Sequence, residues 1–211
     1  MTYPVLDTIP ALKEKLMTQS TVILQAPPGA GKSTILPLEL LREPWLGDKK
    51  IVMLEPRRLA ARSVAMRMAS LLEEEAGETI GYRVRFENKV SARTKIEVVT
   101  EGILTRMIQT DNALENVAMV IFDEFHERSL QADLALALTL QVQSVLRADL
   151  RVLVMSATLE SEILSERLNA PVLTSSGRQY PVNVIHVPID KDARIANAVT
   201  STIMKALREQ R

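Results

Sequence analysis

Lys32, Ser33, Asp123 and Glu124 are the residues whose types and setting can do chemistry. Lys32 and Ser33 close the run Gln25-Ala26-Pro27-Pro28-Gly29-Ala30-Gly31-Lys32-Ser33-Thr34. That run follows the apolar stretch Thr21-Val22-Ile23-Leu24 and opens into a helical pattern from Thr34 to Leu41. Strand, glycine-rich loop and helix in this order make a phosphate cradle. Backbone N–H groups from Gly29 to Thr34 point at phosphate oxygens, and the helix dipole favours negative charge there. Lys32 reaches the β- and γ-phosphates of a nucleoside triphosphate, and the Ser33 hydroxyl ligates Mg²⁺. Ala26 stands where the motif's first glycine is usual. Ala is small enough for the loop, although a left-handed backbone angle there would be disfavoured.

The second chemical element is acidic. Val117-Ala118-Met119-Val120-Ile121-Phe122 is an apolar run of strand length, and it ends in Asp123-Glu124-Phe125-His126. Two adjacent carboxylates at the end of a buried strand are costly without a partner. A Mg²⁺ ion supplies one: Asp123 holds the metal, and Glu124 orients and deprotonates an attacking water. A third strand-length run, Arg151 to Met155, ends in Ser156-Ala157-Thr158. Alone, that tripeptide reads as an ordinary helix cap ahead of Leu159 to Leu168. Its value lies in its order after the loop and the acids.

The elements that must position these residues are legible as an alternation. Short apolar runs occur at Val22–Leu24, Ile51–Leu54, Ile96–Val99, Val117–Phe122, Val152–Met155 and Val172–Leu173. Helical patterns occur at Leu6–Leu16, Arg58–Leu72, Ser129–Leu146 and Ala193–Leu207. Continuous apolar runs suit strands buried on both faces, so the pattern predicts an α/β fold with a mostly parallel sheet and helices on both faces. Ligands of such sheets sit beyond the carboxyl ends of the strands, where every motif above lies. Met residues in Arg58–Leu72 read as core filler. Pro181–Pro188 reads as a strand or linker, and His186 within it as structural.

The order of motifs resembles the first RecA-like domain of superfamily 2 helicases, in particular the DEAH/RHA group of DExH-box proteins. Glu55-Pro56-Arg57-Arg58-Leu59-Ala60-Ala61 resembles the group's motif Ia, and Thr100-Glu101-Gly102-Ile103-Leu104 resembles motif Ib. Gly81 to Glu87 is similar to a segment typical of the group, and Gly177 to Val182 to the passage that leaves the first domain. Phe125 departs from the Ala of the DEAH name. The resemblance implies a RecA-like P-loop NTPase domain over residues 1–180. Residues 181–211 would then be an exit linker and the first helix of a second RecA-like domain, whose later motifs and arginine fingers have no counterpart here.

By the same resemblance, ATP or another nucleoside triphosphate is used with Mg²⁺. Arg67 stacks on the nucleotide base, which a planar guanidinium can do with little discrimination among bases. Ser156 and Thr158 relay the state of the γ-phosphate, and His126 couples the acids to them or to the second domain. Arg57, Arg58, Thr100, Glu101 and Gly102 line a groove for single-stranded RNA or DNA and grip its backbone without reading bases.

Composition sets outer limits. The 211 residues hold 26 basic and 26 acidic side chains, so any nucleic-acid contact comes from a local patch. Aromatic residues are 3% of the chain, which argues against base-stacking platforms. With no Cys there is no disulfide framework, thiolate zinc site or iron–sulfur cluster within these residues. Leu134–Leu146 is uncharged but falls short of the roughly 18 or more apolar residues that suggest a membrane span. A cytoplasmic monomer without membrane contact is expected. Neutral charge and few aromatics also suit a nucleotide-dependent switch that binds a protein partner; the motif Ia and Ib segments favour the helicase.

Overall fold

Two compact units, Met1–Arg178 and Gln179–Arg211, divide the chain in the computed structural model, which describes residues 3–157, 161–176, 184–188 and 194–209. The first unit is built on an eight-stranded sheet. Its strands are β1 (Thr21–Gln25), β2 (Lys50–Glu55), β3 (Ile80–Val84), β4 (Glu87–Lys89), β5 (Ile96–Thr100), β6 (Val117–Phe122), β7 (Arg151–Ser156) and β8 (Val172–Thr174), in spatial order β4-β3-β5-β2-β6-β7-β1-β8. Every pairing is parallel except β3 with β4. All six expected strands are present. The two that the apolar pattern did not give, β3 and β4, form an edge hairpin with no continuous apolar run.

The helices are α1 (Ile9–Thr18), α2 (Ile35–Leu40), α3 (Arg58–Leu71), α4 (Glu101–Thr110), α5 (Leu130–Val145) and α6 (Ser161–Leu168). Side chains of α1, α2 and α3 pack on one face of the sheet against Val22, Leu24, Met53, Ile121 and Met155. Side chains of α4, α5 and α6 pack on the other face against Ile23, Leu54, Val120, Phe122 and Val154. Successive residues of a strand point to opposite faces, so one strand feeds both cores. This explains why β6 is buried at every position. Helix α4 was not expected as a helix. Its apolar residues Leu104 and Ile108 lie on one turn-spaced face behind the motif Ib sequence.

Two local features hold the sheet edge. Gly81 lies where the β4 backbone crosses closely: a Cβ there would stand 2.6 Å from the Lys89 carbonyl oxygen. Glu97 of β5 is 1% exposed and lies 2.7 Å from Lys50 Nζ of β2 and 2.6 Å from Arg83 Nε of β3. One buried carboxylate thus ties three neighbouring strands, and burial is tolerable because the charge is paired.

In the second unit, residues 184–188 have no regular structure, and α7 (Ile195–Glu209) carries Ile195, Val199, Ile203 and Leu207 at helical spacing. Among the described residues no helix is long and apolar enough to cross a membrane.

Candidate nucleotide site and nucleic-acid face

The carboxyl ends of β1, β2, β5, β6 and β7 bring the singled-out residues together. Register does most of the work. Leu54 of β2 is opposite Phe122 of β6, and the Asp123 N–H donates to the Leu54 carbonyl at 3.0 Å. The next pair outward is therefore Glu55 beside Asp123. Both point to the face that carries α1, α2 and α3, since Met53 and Ile121, two residues earlier, do so. That is the face of the loop after β1.

The loop has the form the sequence predicts. Positive φ occurs at Gly29 (78°) and Gly31 (91°), and Ala26 is not among the residues with positive φ. Alanine at position 26 thus carries no left-handed strain. It is fully buried, and its N–H donates to the Ser156 carbonyl of β7 at 3.0 Å. The Gly31 carbonyl accepts from Thr34, Ile35 and Leu36 N–H at 3.3, 2.9 and 3.2 Å, which winds the chain into α2. A Cβ on Gly31 would press to 3.0 Å from the Tyr3 ring. Val5 N–H also donates to the Ala30 carbonyl at 3.1 Å, so the segment before α1 braces the loop.

Lys32 is 3% exposed and aims at the acids: its Nζ is 2.5 Å from Glu124 Oε1 and 3.8 Å from Asp123 Oδ1. Glu124 is left-handed (φ 49°, ψ 34°), a conformation that costs a non-glycine residue roughly 1–2 kcal/mol. The bend lets the Glu124 N–H donate to Asp123 Oδ1 at 2.8 Å and returns the Glu124 carboxylate toward the loop. Asp123 Oδ2 is buried and accepts no protein hydrogen bond by distance and angle, while the Ser33 hydroxyl and the Glu55 carboxyl lie beside this carboxylate. A buried carboxylate with an orphan oxygen beside a serine hydroxyl fits Mg²⁺, which takes one or two carboxylates and completes its shell with water and phosphate oxygens. Among the described residues no cluster of three or more His, Cys, Asp or Glu could hold a metal by protein ligands alone.

Glu55 is a site residue that the sequence reading passed over, although it shows the same signal as Asp123: an acid ending an apolar strand. Burial first, and then the Asp123 carboxylate, push the Glu55 carboxyl up to about 9. Asp123 is also raised, by burial, against the pull of Lys32. In the absence of a metal, a proton on Glu55 would supply a donor beside the orphan Asp123 oxygen. A carboxyl raised above its ordinary 4.5 contributes stability in full below that value and loses it as pH climbs toward about 9. Without nucleotide or Mg²⁺, the melting temperature is expected to fall from about pH 5 to about pH 9. Glu55→Gln is expected to flatten that fall and to melt higher than wild type at the alkaline end. Parallel melting curves for the two proteins across this range would remove Glu55 from the account.

His126 and the end of β7 are joined. The Ala157 N–H donates to His126 Nδ1 at 3.3 Å, and the same nitrogen is 3.4 Å from Glu124 Oε2. Ser156 is buried at the strand end, and Thr158 lies outside the described residues. One contact from the end of β7 to His126 thus runs through the Ala157 backbone, which no side-chain pattern reveals. Phe125 turns the other way. It is 5% exposed, packs edge-on to Phe122 (centroids 6.2 Å, 85°) in the core of α5, and has the Arg128 guanidinium 5.5 Å from its ring. The larger side chain fills core on the far face of the turn and leaves the Lys32–Glu124 side open.

The motif Ia and Ib residues lie at the neighbouring strand ends. Arg57 caps α3, Arg58 begins it, and Thr100 caps α4, whose first residues are Glu101 and Gly102. Arg57 forks onto Glu127, with Nη2–Oε1 at 2.5 Å and Nε–Oε2 at 3.2 Å. The Glu101 carboxylate accepts from the Ser129 hydroxyl at 2.6 Å, and Ser129 caps α5 by accepting from Ala132 N–H at 2.9 Å. The Glu101 side chain is thus engaged within the protein. Arg67 is exposed on the α3 face opposite Ala61, Ala65 and Met68. A cleft of about 540 Å³ lined by Lys50, Arg83, Met107 and Val117 runs between α4 and the β3, β2 and β6 side of the sheet, and none of Lys32, Glu55, Asp123 or Glu124 lines it.

A family model for the DEAD/DEAH box helicase matches residues 7–165. This chain belongs to the DEAD/DEAH box helicase family. Among helicases of known sequence, it is 53% identical over 208 residues to the ATP-dependent RNA helicase HrpB of Escherichia coli K12, covering 98% of this chain and 26% of that protein. It is 39% identical over 201 residues to HrpA of the same organism, covering 92% and 15%. With human DHX29 it shares 37% identity over 195 residues, covering 87% and 14%. The crystal structure of the E. coli DEAH/RHA helicase HrpB superposes with a TM-score of 0.92 at 53% identity, over 98% of this chain and 26% of that one. The helicase domain is RecA-like, and the chain spans about a quarter of the length of the HrpB relative it matches.

Proposed function

We propose that this chain is the first RecA-like motor domain of an ATP-dependent nucleic-acid helicase. Residues 1–180 form that domain, and residues 181–211 form the exit linker and the first helix of a second one. The observation that carries the reading is the meeting of Lys32 with Asp123 and Glu124 at the end of β6, its Nζ within 4 Å of both carboxylates, at the mouth of a loop with glycines at positions 29 and 31 at positive φ.

The loop N–H groups from Gly29 to Thr34 and the Lys32 ammonium hold the triphosphate. Ser33 and Asp123 would hold Mg²⁺, which when bound would supply neutralising charge to the triphosphate. Lys32 exchanges Glu124 for phosphate oxygen when nucleotide enters, because one ammonium cannot serve both fully. Glu124, freed, takes a proton from the attacking water. His126 and the Ala157 N–H pass the arrangement of the turn to the end of β7, where Ser156 and Thr158 lie. Arg67 stacks on the base. Arg57, Arg58, Thr100 and the N–H groups at the start of α4, around Glu101 and Gly102, grip the backbone of a single strand. The matched relatives are named RNA helicases, so RNA is the favoured polymer. The protein acts as a cytoplasmic monomer with the remaining helicase domains on the same polypeptide.

The test is ATP and GTP hydrolysis by a polypeptide that continues through the second domain, with and without single-stranded RNA and DNA. Stimulation by one polymer, with ATP and GTP turned over comparably, is expected. No stimulation by either polymer, with Lys32-dependent turnover intact, would overturn the helicase reading and favour a nucleotide-dependent protein-binding switch.

A further inference from the structure

We propose that Glu127 is a positioning residue: it competes with polymer phosphate for the Arg57 guanidinium and so ties occupancy of the nucleic-acid face to the turn that carries Glu124. The proposal rests on the assignment of Arg57 to that face.

The guanidinium fork of Arg57 is filled by both Glu127 oxygens. The same fork suits two phosphate oxygens, so carboxylate and phosphodiester are alternatives for it. The Arg57 side chain is 69% exposed and that of Glu127 31%, so water and salt screen the pair and a polyanion can displace it. Position gives the exchange its consequence. Glu127 ends the short turn Phe125–Glu127, and its N–H donates to the Glu124 carbonyl at 2.9 Å. Both flanks of the turn, Glu124 (φ 49°) and Arg128 (φ 45°), sit at positive φ, a narrow well for non-glycine residues.

The rest of the turn is fastened elsewhere. Phe125 is anchored in the core, His126 is held by the Ala157 N–H, and Ser129 is held by Glu101. Glu127 is the member held by motif Ia. A cavity of about 220 Å³ lined by Arg57, Glu101, Asp123, Glu124, Glu127 and Ser129 joins the motif residues to the acids. Releasing Glu127 acts on Glu124 through the Glu127 N–H bond to the Glu124 carbonyl, with Phe125 and His126 staying in place, and loosening that bond favours exchange of Glu124 for triphosphate.

The experiment uses a polypeptide that continues through the second RecA-like domain, a fluorescent single-stranded oligouridylate and a non-hydrolysable ATP analogue with Mg²⁺, followed by anisotropy for wild type, Glu127→Gln, Arg57→Ala and the double variant. Glu127→Gln is expected to tighten oligonucleotide binding about two- to fivefold, the equivalent of an exposed ion pair. Arg57→Ala should weaken binding, and the double variant should match Arg57→Ala, because Glu127 acts through Arg57. In wild type, saturating oligonucleotide should tighten analogue binding by about the same two- to fivefold, since the coupling cannot exceed the energy of the pair that is released. In Glu127→Gln the analogue should bind tightly from the start, and the oligonucleotide should add nothing further.

A merely structural Glu127 would tighten neither ligand. Arg57→Ala binding oligonucleotide as wild type does, or wild type binding none, would refute the placement of Arg57 on the nucleic-acid face. Weakened binding in Arg57→Ala, together with additive effects in the double variant or wild-type coupling in Glu127→Gln, would overturn this proposal and leave that placement standing.

Discussion

Glu124→Gln, in a polypeptide that carries both RecA-like domains, is expected to lower turnover by about 10²–10⁴ while nucleotide still binds. The amide has the shape of the carboxylate and can still accept from Lys32, whose Nζ is 2.5 Å from Oε1. The turn, fixed by Phe125 in the core and His126 against Ala157, has no reason to move. What disappears is the basicity that removes a proton from water. Binding should tighten slightly, because Lys32 no longer leaves a full negative charge to meet the triphosphate. Fluorescent-nucleotide binding and steady-state hydrolysis measured on the same preparation separate the two effects. Wild-type turnover in the variant would remove Glu124 from its proposed role.

The second large effect concerns what lies beyond these residues. The chain by itself is expected to bind nucleotide yet hydrolyse it about 10³–10⁵ more slowly than the same chain joined to a second RecA-like domain, the range that arginine fingers contribute in other NTPases. Among the described residues, the ion pairs of Asp123 and Glu124 are to Lys32 and to His126 when protonated, and no arginine is paired with either acid. Arg57, the arginine at the neighbouring strand end, is turned onto Glu127. Charge developing on the γ-phosphate would therefore meet one ammonium and the metal. Single-turnover rates for the two lengths of polypeptide decide the matter, and comparable rates would mean that the first domain is catalytically complete.

The fold was legible where burial is two-sided. Strands β1, β2, β6 and β7 hold continuous apolar runs, and β5 one broken only by Glu97, because a central parallel strand faces a core on each side. Strand β3 alternates apolar Ile80, Tyr82 and Val84 with Gly81 and Arg83 instead of running apolar, and β4 is three polar residues, so the continuous-run pattern did not show the hairpin. Helix α4 was hidden because a motif assigned to ligand contact also has to fold. The phosphate loop was legible because its chemistry is local: glycines, lysine and serine act within one turn of chain.

By itself the sequence determined the parallel α/β architecture, the loop, the strand-end acids and the family they belong to, since each follows from residue types within a few positions of one another. Only the tertiary structure decided which residues face which. Register set Glu55 beside Asp123 and so added a second buried carboxyl, with its affinity for a proton raised, to the site. A left-handed Glu124 turned the second carboxylate back toward Lys32, and the same turn sent Phe125 into the core. The strand order laid Arg57 against Glu127 across 70 residues of sequence. Such contacts depend on backbone register and side-chain direction, which residue types constrain only through the whole packed sheet.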